Sequence, residues 1–210
     1  VDAVRAGGLA AGPACGRVPD GTGATAPCGA PTPGAANKPL PVPDLIISEI
    51  MYHPITEDDR DEYIEIYNRS AQAVDLAGCT VRGMGFTFPA KARIGPKSYA
   101  VVAKDPARLG ARYGIKSAAL FGPCQGTLSD GGETISLETP EGVCIDEVTY
   151  GDRDPWPAWA DGLGESLELI DVEGENDLAA AWGASDSRAG AQWQTFEYAG
   201  LHHAFRDMSL

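Results

Sequence analysis

Between Leu45 and Ile170, apolar side chains recur at every second position in short runs that Gly and Pro interrupt. In Tyr63-Ile64-Glu65-Ile66-Tyr67, Ile64 and Ile66 point to one face while Glu65 and the tyrosine rings take the other, the period of a half-buried strand. The segment Leu45–Asn68 therefore reads as two strands joined by an acidic loop. Val74–Leu76 and Thr80–Arg82 are short strand candidates, and Phe86-Thr87-Phe88 alternates until Pro89, which has no N–H to give a ladder. Tyr99–Ala103 is an apolar run of strand length. One helix is signalled, with Asp105 as its cap, Pro106 in its first turn and Gly114 closing it after Tyr113. Thr134–Glu138 and Val143–Tyr150 form a predicted hairpin whose turn, Thr139-Pro140-Glu141-Gly142, suits type I. Ser166–Ile170 adds a strand, and Asn176–Trp182 reads as a short capped helical turn. Roughly seven to nine short strands at turn-punctuated spacing predict an all-β sandwich or barrel.

Composition agrees with many turns, since the 210 residues include 26 Gly and 16 Pro. Residues 1–44 are poor in large apolar groups, and Pro31–Asp44 reads as an extended linker in which Pro39, Pro41 and Pro43 alternate. Cys15–Gly23 carries the turn chemistry of a loop. The expected organisation is a Gly/Pro-rich linker over 1–44, a sandwich over 45–185, and the start of a further segment over 186–210, the whole being part of a larger polypeptide.

The formal net charge of −14 repels phosphate backbones, and no Lys/Arg cluster reverses it, so nucleic-acid partners are not expected. No apolar run is long enough to span a bilayer. The five cysteines stand at no zinc-ligand spacing. Cys15 and Cys28, bracketing a Gly-rich loop, are the expected disulfide; Cys79 with Cys124 or Cys144 is a second candidate pairing, and free thiols are the alternative.

Candidate chemistry is sparse. In the run Glu57–Glu62, Asp58, Asp59 and Asp61 are candidate Ca²⁺ ligands, although the order is not that of an EF-hand and solvated carboxylates are the plain alternative. No other cofactor is expected. Glu49 and Glu65 sit within apolar strands; if those strands pair, both carboxylates could face one pocket and do acid/base work, or simply face solvent. His53 stands alone before Pro54, and the side chains of His202 and His203 would diverge in a strand. No nucleophile elbow or phosphate loop is present, so no catalytic residue is assigned. Tyr150, Trp156 and Trp159 gather around Pro155 and Pro157, either as ligand-binding rings for a glycan or protein, or as a plug at the end of the sandwich.

Eight blocks occur in the order seen in bacterial lamin-tail domains: ISEIMYHP (Ile47–Pro54), DEYIEIYNRS (Asp61–Ser70), VDLAGCTV (Val74–Val81), FTFP (Phe86–Pro89), GPKSYAVVAKDP (Gly95–Pro106), LSDGGETISL (Leu128–Leu137), IDEVTYGDRDPWP (Ile145–Pro157) and ADGLGESLELI (Ala160–Ile170). The chain thus resembles that family over about two-thirds of its length. It departs at Cys79, where the family usually has Trp. Cys15–Asn37 also resembles the close of a preceding module of the same kind, though Gly-rich loops can look alike by chance. The resemblance implies an immunoglobulin-like β-sandwich with one short helix and Pro/Gly-rich tails. It also implies an extracellular or cell-surface setting in a larger bacterial protein, neighbouring domains as partners, and no catalytic activity. The long heptad rod of a filament protein is missing. Three roles are then expected in descending order: a spacer or adhesive module, a carbohydrate- or protein-binding module using Trp156 and Trp159, and a metal-dependent hydrolase accessory domain.

Overall fold

The computed structural model describes residues 14–28, 32–115 and 119–185; His202 and His203 lie outside them. A first hairpin pairs β1 (Ala14–Val18) with β2 (Ala24–Cys28). This corrects the loop expected over Cys15–Gly23: the backbone ladder forms although few large apolar side chains mark it, and only Pro19–Gly23 turns, closed by Gly23 N–H to Pro19 O at 2.8 Å.

Twelve further strands complete the described residues: β3 (Leu45–Met51), β4 (Tyr63–Asn68), β5 (Val74–Asp75), β6 (Thr80–Arg82), β7 (Phe86–Thr87), β8 (Arg93–Ile94), β9 (Tyr99–Ala103), β10 (Leu120–Phe121), β11 (Thr134–Glu138), β12 (Cys144–Thr149), β13 (Leu167–Leu169) and β14 (Trp182–Ala184). A six-stranded sheet runs β10-β9-β4-β3-β13-β14, a four-stranded sheet runs β12-β11-β6-β7, and β5 pairs with β8. This is an immunoglobulin-like β-sandwich. Helix α1 (Pro106–Tyr113) comes after β9; the Asp105 carboxylate accepts from Arg108 N–H at 3.0 Å, and Gly114 ends the helix in the left-handed region.

The register explains the core. Leu167, Ile50, Ile64 and Val102 lie in one cross-strand row of the large sheet, each fully buried. They pack in the same cluster as Val81, Ile135, Leu137 and Val148 of the small sheet. A bulge between Ile47 and Glu49 lets two consecutive isoleucines, Ile46 and Ile47, enter the strand without turning Glu49 inward. The next row, on the opposite face, is Glu168, Glu49, Glu65 and Val101.

Strand β13 pairs with β3 at Glu49 and Ile50. At Ile47 a side-chain clasp takes over. Ile47 N–H donates to Asp146 Oδ2 at 2.7 Å, while Asn176 Nδ2 donates to the same oxygen at 2.8 Å and to Ile47 O at 3.0 Å. Trp182 Nε1 donates to Asn176 O at 2.9 Å. Asn176 therefore serves the sheet edge and does not cap a helix; the helical turn is a 3₁₀ turn over Ala179–Ala181.

Both β3 and β14 are antiparallel to β13, so they run parallel to each other, and Ala184 sits in the row of Leu167 and Ile50. The chain thus enters the large sheet at the Leu45 end and leaves it at the Met51 end.

Candidate functional site

At the Met51 end, the turn after β3 meets the loop before β13. His53 and Asp161 form a parallel bridge, Gly162 N–H donates to His53 O at 3.2 Å, and His53 Nδ1 lies 2.7 Å from Asp161 Oδ1. On the other side of the ring, Nε2 is 3.5 Å from Glu57 Oε1. Burial alone would lower the His53 pKa, but the Asp161 hydrogen bond outweighs it with help from Asp130 and Glu57, so it is raised above 6.5. Gly162 has φ 72°, and a Cβ there would stand 3.0 Å from His53 Cε1; the loop can close on the imidazole only with glycine at this point. His53, which looked solitary in sequence, is held by a residue 108 positions away.

The aromatic group divides in two. Tyr150 is 3% exposed and its hydroxyl donates to Ser129 O at 2.8 Å, so it closes the core and does not meet ligand; the expectation of a Tyr150 binding ring is corrected. Its ring lies 4.8 Å from that of Tyr52, whose buried hydroxyl has no hydrogen-bond partner among the described residues. Trp156 is half-buried, its ring 6.2 Å from that of Trp182. Trp159, by contrast, is 57% exposed.

The acidic run has a different arrangement from a Ca²⁺ loop. The Asp58 carboxylate accepts from its own turn at Arg60 N–H and from the Arg60 side chain at 2.9 and 2.6 Å. These contacts hold its carboxyl down at about 2. Asp61 is buried and accepts two parallel bonds from Arg108, at 2.6 and 2.8 Å, with Thr56 Oγ1 and Arg112 alongside. Arg108 also lowers its pKa, against the effect of burial. Asp59 is exposed on the 3₁₀ turn. Guanidinium groups thus pair with Asp58 and Asp61, and among the described residues no three His, Cys, Asp or Glu side chains converge to hold a metal ion.

Glu49 and Glu65 do face each other, as alternation suggested, and Glu168 extends them into a row of three carboxyls. Tyr63 Oη donates to Glu49 Oε1 at 2.6 Å, Ser166 Oγ donates to the same oxygen, and Ser48 Oγ donates to Glu65 Oε1 at 2.9 Å. Burial first, and then Glu49, push Glu65 up to about 8 against the Ser48 hydrogen bond; burial and Glu49 also raise Glu168. The row borders a hollow of about 220 Å³ lined by Ser48, Glu65, Tyr99, Glu168 and Ile170. Within it Glu65 and Glu168 hold their protons more tightly than exposed carboxyls do. Elsewhere, burial raises Glu62 to about 7 although Leu128 N–H donates to it at 2.9 Å. Glu62, Glu168 and Asp146 carry no local sequence signal of burial, because strand register and sheet stacking create it.

Cys79 and Cys124 are buried free thiols and Cys144 an exposed one, so neither of the Cys79 bridges forms. The register sets Cys15 opposite Pro27 and Cys28 opposite Ala14, which is one position off the direct facing that a cross-strand bridge uses. The side chain of Cys15 lies outside the described residues.

Fold and site together define an immunoglobulin-like β-sandwich module. The lamin tail domain profile matches residues 39–152, and the chain belongs to that family. Among solved structures it is similar to a DUF4876 family protein from Bacteroides thetaiotaomicron VPI-5482, with 14% identity, coverage of 70% of this chain and 69% of that one, and a TM-score of 0.42. A search of curated proteins gave no match. Among the described residues no helix is long and apolar enough to cross a membrane.

Proposed function

We propose that this chain is a non-catalytic structural and interaction module of a larger bacterial protein, exposed at the cell surface or secreted. The observation that carries the reading is the parallel course of β3 and β14 on either side of β13. A chain that enters one end of a sandwich and leaves by the other sets a fixed distance between its two neighbours in the polypeptide. The extracellular bacterial setting rests on the family resemblance of the ordered blocks.

Force spectroscopy tests the spacer role. Handles placed just before Leu45 and just after Ala184 load β3, β13 and β14 in shear. Handles at Leu45 and Asn68, which face each other in the ladder, peel β3 from β4. The first geometry should hold to clearly higher force; equal forces overturn the spacer. Accessibility of the module to protease or antibody on intact cells tests its location, and a wholly cytosolic signal overturns that part.

A second reading, as a binding module, is favoured by one observation, the exposed Trp159 ring. Trp156 and Tyr150 pack with the core instead.

A further inference from the structure

Three large apolar side chains stand out of the Met51 end: Ile55 at 56%, Trp159 at 57% and Leu163 at 53% exposure. They belong to two loops that the His53–Asp161 bridge fastens together. Ile55 Cδ1 lies against Gly164, so the first loop packs on the second at that point, and Glu165 N–H donates to Trp159 O across the turn. Solitary exposed apolar residues need no explanation; three on one loop pair, one of them Trp, have the make-up of an interface centre.

Around them exposed carboxylates predominate. Glu57 has 75% and Asp161 40% of its side chain exposed, and Asp130 is exposed on the neighbouring loop. Asp130, Asp152 and Asp161 all act on Tyr52 beneath, which places their fields at the same end of the sandwich. The cationic groups near this rim are already matched: His53 lies between Asp161 and Glu57, Arg153 lies 3.5 Å from Asp152, and Arg60 and Arg108 are held by Asp58 and Asp61, while the rim carboxylates keep much of their surface open to a partner.

We propose that this end of the sandwich docks a cationic polypeptide segment whose lysines or arginines flank an aromatic or aliphatic side chain. The inference deepens the interaction-module reading and rests on it. The apolar residue of the partner sits against Trp159, Ile55 and Leu163, and its charges meet Glu57, Asp161 and Asp130. A glycan would use the Trp face but has no charge to answer the rim. A second copy of this acidic chain would bring like charge to like.

The test titrates the protein with a short peptide alternating Lys and Leu around a central Trp, monitored by amide chemical shifts. Expected shifts are confined to residues 53–57, 129–131 and 158–165. Affinity should fall at least about tenfold with Trp159→Ala, fall severalfold with the pair Glu57→Gln and Asp161→Asn, and weaken with salt. The same peptide with Glu for Lys should not bind, and Ile170→Ala, remote from this end, should leave affinity unchanged. Circular dichroism of each variant checks that it folds. The proposal is overturned by shifts centred elsewhere, by affinity indifferent to Trp159→Ala, by equal binding of the Glu peptide, by a neutral oligosaccharide binding in its place, or by no binding at millimolar peptide. Those outcomes leave the spacer reading standing, since it fails only in the pulling experiment.

Discussion

Arg108 on the helix grips Asp61 with two parallel N–H donors, at 2.6 and 2.8 Å, and so ties α1 to the turn that leads into β4. Asp61 is 3% exposed, so its charge depends on that grip. Arg108→Met should lower the melting midpoint by on the order of 5 °C near neutral pH. The depressed pKa of Asp61 gives the sign: its stabilising contribution is present above the ordinary 3.8 and is lost as pH falls. Variant and parent should therefore converge in acid. A constant gap across the pH range, read by thermal melts, would refute the assignment.

The buried carboxyls Glu65 and Glu62 set the opposite trend at higher pH. Glu65 and Glu62 rise from 4.5 to about 8 and about 7 on folding. Between those limits the folded state holds protons that the unfolded state has released, so this contribution is complete below the unfolded value and disappears as pH climbs through 7 to 8. His53, also raised, acts in the same direction. The midpoint should be highest at about pH 4.5–6 and should decline toward about pH 8. Glu65→Gln should flatten the alkaline limb, and a midpoint that increases from mild acid to pH 8 in the parent would contradict the buried row.

Asn176→Ala strips partners from Ile47 O and Asp146 at once. A loss of about 2 kcal/mol in urea unfolding is expected. Hydrogen exchange should quicken at Ile47 and in β14 before the rest of the sheet; uniform quickening would show that the clasp is not local.

The two tryptophans before β13 should separate cleanly. Trp156→Ala removes a ring packed on Trp182 and should cost about 2 kcal/mol, whereas Trp159→Ala should stay within about 0.5 kcal/mol of the parent. Equal losses in chemical denaturation would mean that both rings belong to the plug.

Maleimide labelling under native conditions should modify Cys144 and spare Cys79 and Cys124, which burial shields and, for Cys124, raises to about 12. Peptide mass mapping reads each site. Labelling of Cys124 at the rate of Cys144 would argue against its buried position.

Much of this architecture was legible because its signals are local. Alternation marked β4, and Asp105, Pro106 and Gly114 bound α1 in the sequence as they do in space. The turn Thr139–Gly142 needed four residues to announce the β11–β12 hairpin. By contrast β8 and β10 are two residues long, too short to show any period, and they form where β5 and β9 face them. The same limit applied to the site. Glu49 opposite Glu65 could be inferred from two adjacent strands; the third member, Glu168, depended on a register with β13 that no spacing encodes. The acidic run looked like cation chemistry because Arg108 and Arg112, which fold back on Asp61, stand 47 and 51 residues further along the chain.

The clasp at Ile47 also bears on self-association. Where β3 runs beyond the reach of β13, its N–H and C=O would otherwise offer a landing strip to the backbone of any passing chain. Asp146 and Asn176 fill both, and the carboxylate adds a charge that an invading strand would have to bury. A fold whose middle strand is stoppered in this way gives a second copy no free stretch of β3 with which to trade strands.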